Sequence, residues 1–382
     1  LLMNLLLIIS VGVCMIPNLY VVVVGRFFWG ISFGVFSVAC PKFNTEITPI
    51  EYRGPFGATL QLMCTIGIMI PSLMALAIPS PIKPEDEVNK KFLVTQYYRV
   101  IYAVPILVGV LHTLMLLTCF KTETPVFLKE NGKEEELVET MKRYYQPSEI
   151  KPRIAALSAT EKDASADEVS YYDTFFDPRI RTSAWTGIFL ATFQQLTGIN
   201  AIIFFSSSLF DTDNTGEGIT KADGTAILNT ANFLATIVGV ISLQYFGRKT
   251  LMLVNQVGVC VCLFCMYFFA SNGNNQMILV FSTLFICFFE FGPGPIVWFH
   301  ISEICNDKAT SVGTVVNWLW TLVMAIFTSF FLNDWFYETT WLIFFGFSVL
   351  GLLFILFFMK ETRGLSEDEV KRLYTKEPQV KM

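Results

Sequence analysis

The sequence predicts an all-α polytopic membrane protein, and three observations carry that prediction. Of its 382 residues, 53% are hydrophobic and 15% charged, and the mean hydropathy is +0.53, too apolar for a soluble globular domain. The apolar residues gather in runs of about 20, the length that crosses a bilayer. Carboxamides and a carboxylate sit inside those runs, where hydrocarbon tolerates them only against polar partners or a water-lined space.

Taken in order, the runs are Leu1 to Ile16, Leu19 to Cys40, Phe56 to Ile78 and Val100 to Phe120, then Trp185 to Leu209, Ala226 to Phe246, Leu251 to Ala270, Met277 to His300, Thr310 to Leu332 and Thr340 to Met359. Four precede a long polar segment and six follow it. That segment, Lys121 to Thr182, mixes basic and acidic residues, and Leu137, Met141 and Tyr144 give it a short amphipathic stripe, so it reads as a linker with small helices. If every run crosses once, the linker, Arg53, the Arg248-Lys249 loop and the tail carrying Lys360, Arg363, Lys371 and Arg372 share one side; the excess of positive charge there makes it the cytosolic side. No cleavable signal is visible, and Leu1 opens inside an apolar run with no basic residue ahead of it, so an N-terminal part is expected upstream.

Composition also excludes function classes. A formal charge of -5 argues against a nucleic-acid partner. The nine cysteines lie in or at the ends of apolar runs, which is no disulfide framework, and Cys260, Cys262 and Cys265 read as small core or lipid-facing residues. His112 and His300 are the two histidines, too far apart to suggest a metal cluster, and both read as ordinary. No nucleophile, base and orienter grouping appears, so neither an enzyme nor a cofactor is expected.

The chain is organised around Phe193-Gln194-Gln195-Leu196-Thr197-Gly198-Ile199-Asn200. Gln194 and Asn200, six positions apart, diverge on an ideal helix; Gly198 between them can break the helix and bring both to one cavity. A broken helix with amides at the break reads as a small-molecule binding element, and packing glue between helices is the other reading. Asn229, Asn232 and Thr236 recur at i, i+3 and i+7, as do Thr314, Asn317 and Thr321, and Gln61 with Thr65 adds a further polar face. Glu290 stands mid-run, where a carboxylate costs about 2.5 to 3.5 kcal/mol on insertion scales. Gly292-Pro293-Gly294-Pro295 follows at once, so the helix bends or unwinds beside the acid, and Trp298 lies near the same face, able to stack on a ring. Amides both donate and accept, as hydroxyls do, so these faces suit a neutral ligand with many hydroxyls.

These residues resemble the sugar porter branch of the major facilitator superfamily, which contains the facilitative glucose and hexose transporters. Gln194 to Asn200 is similar to the family's helix-seven signature, and Gly25-Arg26-Phe27 with Glu46 and Arg53-Gly54 to its helix-four and inner-loop pattern. Gly247-Arg248-Lys249-Thr250 resembles the loop after helix eight, Glu290 through Trp298 helix ten, Asn317-Trp318 helix eleven, and Glu361-Thr362-Arg363-Gly364 the start of the tail. The resemblance implies two helical bundles related by pseudo-two-fold symmetry: an N-terminal bundle over 1–120, the linker over 121–182, a C-terminal bundle over 183–359 and a cytosolic-side tail over 360–382. It implies sugar contacts from Gln61, Gln194, Gln195, Asn200, Asn229, Glu290, Trp298 and Asn317. It further implies that Arg26, Glu46, Arg53, Arg248 and Glu303 belong to cytosolic-side ion pairs that hold the two halves together, and that a sugar moves by alternating access. The expected partners are a small-molecule sugar and the lipid bilayer, in the plasma membrane or else that of an organelle.

The departures are as specific. Aligned from Leu1, the chain begins at the family's third helix, so helices one and two are not in it, and uniport against proton symport stays open. Thr310 stands where the family has Arg, with Lys308 nearby; Phe204 and Phe205 replace tyrosines; and Thr122-Glu123-Thr124-Pro125-Val126 lacks its usual Arg. These departures keep a rival open, a transport-incompetent structural subunit of a larger membrane complex with protein partners, and a third option, a sensor that binds sugar without moving it.

Overall fold

The computed structural model describes residues 1–48, 56–57, 59–79, 83–155, 169–209, 220–331, 337–365 and 367–375, and among them every regular element is a helix. Ten are apolar membrane helices: α1 (Leu2–Cys14), α2 (Leu19–Ile47), α3 (Thr59–Ala75), α4 (Tyr98–Thr118), α5 in two halves (Arg181–Leu196 and Ile199–Leu209), α6 (Lys221–Tyr245), α7 (Arg248–Ser271), α8 in two halves (Asn275–Phe291 and Pro293–Ile304), α9 (Asp307–Phe331) and α10 (Tyr337–Phe358). Eight are long enough to span a bilayer, and α1 and α3 are shorter apolar helices. A tail helix, α11 (Glu367–Tyr374), follows.

Burial is inverted relative to a water-soluble bundle. On α9, Asn317, Thr321 and Thr328 are buried while Leu319, Leu322, Ile326 and Phe327 are exposed; on α6, Asn229, Asn232 and Thr236 are buried while Leu234, Val238 and Ile241 are exposed. On these two helices the apolar stripe is exposed, as lipid allows, and the polar stripe faces neighbouring helices, while α5, α7, α8 and α10 close over an apolar core that includes Leu196, Val259, Leu263, Phe285 and Phe344.

The chain divides into two compact units, Leu1–Gly57 with Ile82–Val169 and Ala58–Pro81 with Ser170–Met382. In the first, α1 packs on α2 and α4. A Cβ at Gly25 would lie 2.7 Å from the Cys14 sulfur, so the glycine is what lets α2 approach α1. Asn4, buried on α1, donates to the Thr113 hydroxyl (3.1 Å) and bonds the His112 ring (3.1 Å), so His112 joins two helices by polar contact. In the described part of the segment after α4, two short helices, Pro125–Glu130 and Glu134–Tyr144, close over Leu128, Leu137, Met141 and Ile150.

In the second unit, α7 packs between α8 and α10, the first half of α5 packs on α9, α8 and α10, and α6 packs on α8 and α3. Helix α3, which the sequence groups with the N-terminal four, thus lies in the second unit, along α6. A Cβ at Gly239 of α6 would fall 2.2 Å from the Glu290 carbonyl oxygen, so that glycine sets the closeness of α6 and α8 beside the acid. The capping box of Thr220 and Asp223 starts α6.

Candidate functional site

Two helix breaks build the site. In α5 the ladder stops at Thr197 and restarts when Ile202 N–H donates to the Gly198 carbonyl (3.1 Å). Gly198 itself has φ +85°, and a Cβ there would meet the Phe344 ring at 2.6 Å, so both backbone and space demand glycine. In α8 the break falls at Gly292, with Pro293 as the first residue of the second half, a position that needs no N–H.

Gln194, Gln195 and Asn200 flank the first break, and Asn317 faces them from α9. Asn200 donates to Gln195 Oε1; Gln195 donates to Asn317 Oδ1 (2.8 Å); Asn317 donates to Gln194 Oε1 (2.8 Å); and Gln194 donates to the backbone carbonyl oxygens of Pro293 (2.9 Å) and Gly294 (3.1 Å) at the second break. Asn317 also donates to the Ala191 carbonyl (3.1 Å), and Asn200 lies 3.4 Å from the Thr321 hydroxyl. Four amides therefore form one chain in which every donor points the same way, so each bond polarises the next. Gln194, Gln195 and Asn317 are buried and Asn200 is half-buried, which makes Asn200 the open end of the chain.

Glu290, 2% exposed, forms a second group. Gln61 Nε2 lies 3.1 Å from each carboxylate oxygen, and the Thr236 hydroxyl lies 3.1 Å from Oε2. A Cβ at Gly294 would fall 2.8 Å from Oε2, so the acid lies over the residue whose carbonyl ends the amide chain. Asn229 is buried one turn before Asn232, and its Oδ1 has no hydrogen bond, nor has either amide atom of Asn232. Trp298 is half-buried on the second half of α8, and the hydrogen bonds of the amide chain and of Glu290 do not include it.

The residues expected in ion pairs separate. Arg248 and Glu303 pair at 3.4 Å, with the Arg248 guanidinium 5.0 Å over Phe299 and the Thr362 hydroxyl donating to Glu303 (2.6 Å). Glu46 accepts from the Thr124 hydroxyl. Arg26 stands on the same helix as Glu46, 20 positions earlier, a separation of about 30 Å at helical rise, so the two cannot share one cytosolic-side cluster. Arg26 instead lies over Trp29 (5.6 Å) and Tyr102 (5.7 Å) and donates to the Tyr102 hydroxyl (2.7 Å). Arg53 lies outside the described residues. Lys308 sits over the Tyr171 ring at 5.3 Å.

Glu361, named in the sequence only as part of the tail motif and given no role there, organises the α6–α7 end of this unit. Its carboxylate accepts the backbone N–H groups of Arg248 (2.9 Å), Lys249 (3.0 Å), Thr362 (3.1 Å) and Arg363 (3.0 Å), and so caps the start of α7. Burial pushes this carboxyl up, but the four backbone donors outweigh burial and hold it below its ordinary range. A Cβ at Gly247 would meet Glu361 Oε2 at 2.2 Å, so the glycine makes room for the cap. Arg363 donates to the carbonyls of Gln244 (3.0 Å) and Tyr245 at the end of α6. Behind them His300, fully buried, bonds the Tyr374 hydroxyl of α11 (3.1 Å), which also accepts from Lys360 N–H (2.8 Å). The polar stripes signalled Thr236 and Thr321, and the tail motif contained Glu361; nothing in the sequence signalled the pairing of His300 with Tyr374.

Comparison with known proteins fits this geometry. The family model described as sugar (and other) transporter matches residues 1–374. Hexose transporter 1 of Plasmodium knowlesi is 30% identical over 94% of this chain and 74% of its own length. The glucose transporter GlcP of Staphylococcus epidermidis is 30% identical over 93% of this chain and 76% of its own. Among solved structures, the major facilitator superfamily proton:xylose symporter XylE, bound to 6-bromo-6-deoxy-D-glucose, superposes with a TM-score of 0.79 at 20% identity, covering 98% of this chain and 82% of that one.

Proposed function

The chain belongs to the sugar transporter family, with the major facilitator fold of an integral multi-pass membrane protein and not of an enzyme, and on that premise we propose that it carries a neutral hexose across the plasma membrane by alternating access. The observation that carries this reading is the one-directional amide chain from Asn200 to Gln194. Its members are neutral and each both donates and accepts, so a sugar hydroxyl can insert between two of them and satisfy both neighbours. The named relatives act on hexose and glucose, which supports the same substrate class here. In this reading Gln61, Asn229, Glu290 and Trp298 complete the contact set, and two helical bundles rock around the sugar. The Arg248–Glu303 pair and the Glu361 cap keep the inner end of the second bundle rigid through that motion.

The test is uptake of radiolabelled D-glucose, with other hexoses as a panel, by proteoliposomes holding the full-length natural protein. Saturable uptake that Gln194→Ala removes, with the variant folded and inserted, supports transport. No uptake of any hexose by correctly inserted protein overturns it and favours the structural-subunit reading.

A further inference from the structure

A cavity of about 500 Å³ lies in the first unit at the Tyr98 end of α4, lined by Met15, Phe92, Gln96, Arg99, Val100 and Ala103. It shares no residue with the amide chain or with the Glu290 group. Helix α1 ends at Met15, whose carbonyl is one of the acceptors that a helix end leaves without an intrahelical partner. The Tyr98 hydroxyl (3.0 Å) and Arg99 Nε (3.2 Å) both donate to it, so the first turn of α4 is tied to the end of α1. The short helix Lys91–Thr95, with Gln96 as its C-cap, supplies the third wall.

Two polar groups of this apolar cavity are left over. Arg99 spends Nε on Met15 and on the Tyr98 hydroxyl (3.3 Å), and its guanidinium lies 5.8 Å over the Tyr98 ring; among the described residues its η nitrogens have neither hydrogen bond nor ion pair. Gln96 Oε1 is buried without a hydrogen bond. Arg99 N–H donates to the Gln96 carbonyl (3.0 Å), so the two residues stand one turn apart and one ligand can reach both. An open guanidinium fork suits an oxyanion held by two N–H groups, and a buried acceptor needs a donor. The acids nearest in sequence, Glu85, Asp86 and Glu87, stand on the preceding short helix, where Asp86 pairs with Lys90 (3.3 Å), and none of them pairs with Arg99.

The remaining surface is apolar. Val100, Leu107, Leu111 and Leu114 are exposed on α4 at i, i+7, i+11 and i+14, a stripe about 21 Å long. Half the hydrocarbon core of a bilayer is about 15 Å thick, so the stripe can carry an acyl chain of one leaflet while Arg99, at the start of α4, stays at its rim.

We propose that this cavity binds a phospholipid of the leaflet at the Tyr98 end of α4. Its phosphodiester sits on the Arg99 η nitrogens, a donor of its headgroup on Gln96 Oε1, and an acyl chain along Val100, Leu107 and Leu111. The charge of Arg99 is complementary to the phosphodiester, and Gln96 selects the headgroup: ethanolamine and glycerol carry a hydrogen-bond donor, and choline carries none. The lipid closes the junction of α1 and α4, whatever solute the protein carries.

The full-length natural protein, purified in detergent, is titrated with phosphatidylcholine, phosphatidylethanolamine or phosphatidylglycerol of the same acyl chains, and bound lipid is counted by native mass spectrometry. The expected result is one lipid held about fivefold more tightly with ethanolamine or glycerol than with choline, a preference that Gln96→Leu removes. Arg99→Gln is expected to weaken binding of all three about tenfold. Ala103→Phe fills the cavity, leaves both polar groups in place and is expected to abolish the bound lipid, so the site is tested even if Arg99→Gln fails to fold. Equal binding of ethanolamine and choline lipids would overturn the Gln96 contact. An affinity that Ala103→Phe leaves unchanged would overturn the site. Displacement of the lipid by inorganic phosphate would assign the cavity to a soluble anion and overturn the lipid.

Discussion

The second unit holds two polar clusters that differ in kind. At the helix breaks, four neutral amides pass hydrogen bonds in one direction; at the α6–α7 turn, Glu361, Arg248, Glu303 and Arg363 bind backbone groups and one another as charges. A neutral amide can exchange its neighbour for a sugar hydroxyl with little net electrostatic change, because both partners donate and accept. A carboxylate holding four N–H groups has no equivalent exchange, and opening it strands donors at a helix start. On the proposed transport reading, the contrast is between a surface that would be remade in every cycle and one that would stay closed.

The largest expected effect cuts the amide chain. Gln194→Ala removes both the bond from Asn317 and the anchor on Pro293 and Gly294, and is expected to lower hexose uptake about 100-fold with the protein still folded. Retained uptake would mean that the chain is packing alone. On the charged side, Gly247→Ala places a methyl where Glu361 sits and is expected to cost about 2 kcal/mol of stability, read as a lower melting temperature in detergent. A melting temperature equal to wild type would show that the cap tolerates displacement.

The same carboxyl sets a pH response. Its folded value lies below its unfolded one, so its stabilisation is full above the unfolded range and is lost as pH falls through the folded value. The melting temperature of wild type is expected to fall toward that of Glu361→Gln on acidification, whereas parallel curves for the two proteins would remove Glu361 as the cause. The smallest effect is Tyr374→Phe, which takes one hydroxyl from His300 and Lys360 and is expected to cost about 1 kcal/mol. A loss no larger than that of an exposed tyrosine would show that α11 is held by Val370 and the Tyr374 ring alone.

The helices and the membership of the amide chain were legible in the sequence because membrane spans offer few polar residues. Asn317 and Thr321, one turn apart, and Gln194 before Gly198 are conspicuous against Leu and Phe. The order of bonding was not legible: whether Gln195 meets Asn317 or Asn200 depends on rotamers on either side of a break. Arg26 shows the opposite failure, since helical rise alone separates it from Glu46, and grouping charges by motif obscured that distance. The His300–Tyr374 contact left no trace, for a buried histidine and a tail tyrosine 74 residues apart share no spacing rule. Helix α3 was placed by its position in the chain, whereas its contacts run along α6.

The tail tripeptide Glu361-Thr362-Arg363 has a consequence for biogenesis. It staples the turn between α6 and α7 from both ends, yet Glu361 is made 113 residues after Arg248. During synthesis α6 and α7 are complete while the connecting turn is unclosed, its donors and carbonyls left to water at the membrane surface. This end of the unit is therefore finished from the carboxyl end backward, because the turn has no carboxylate to close it until the tail is made.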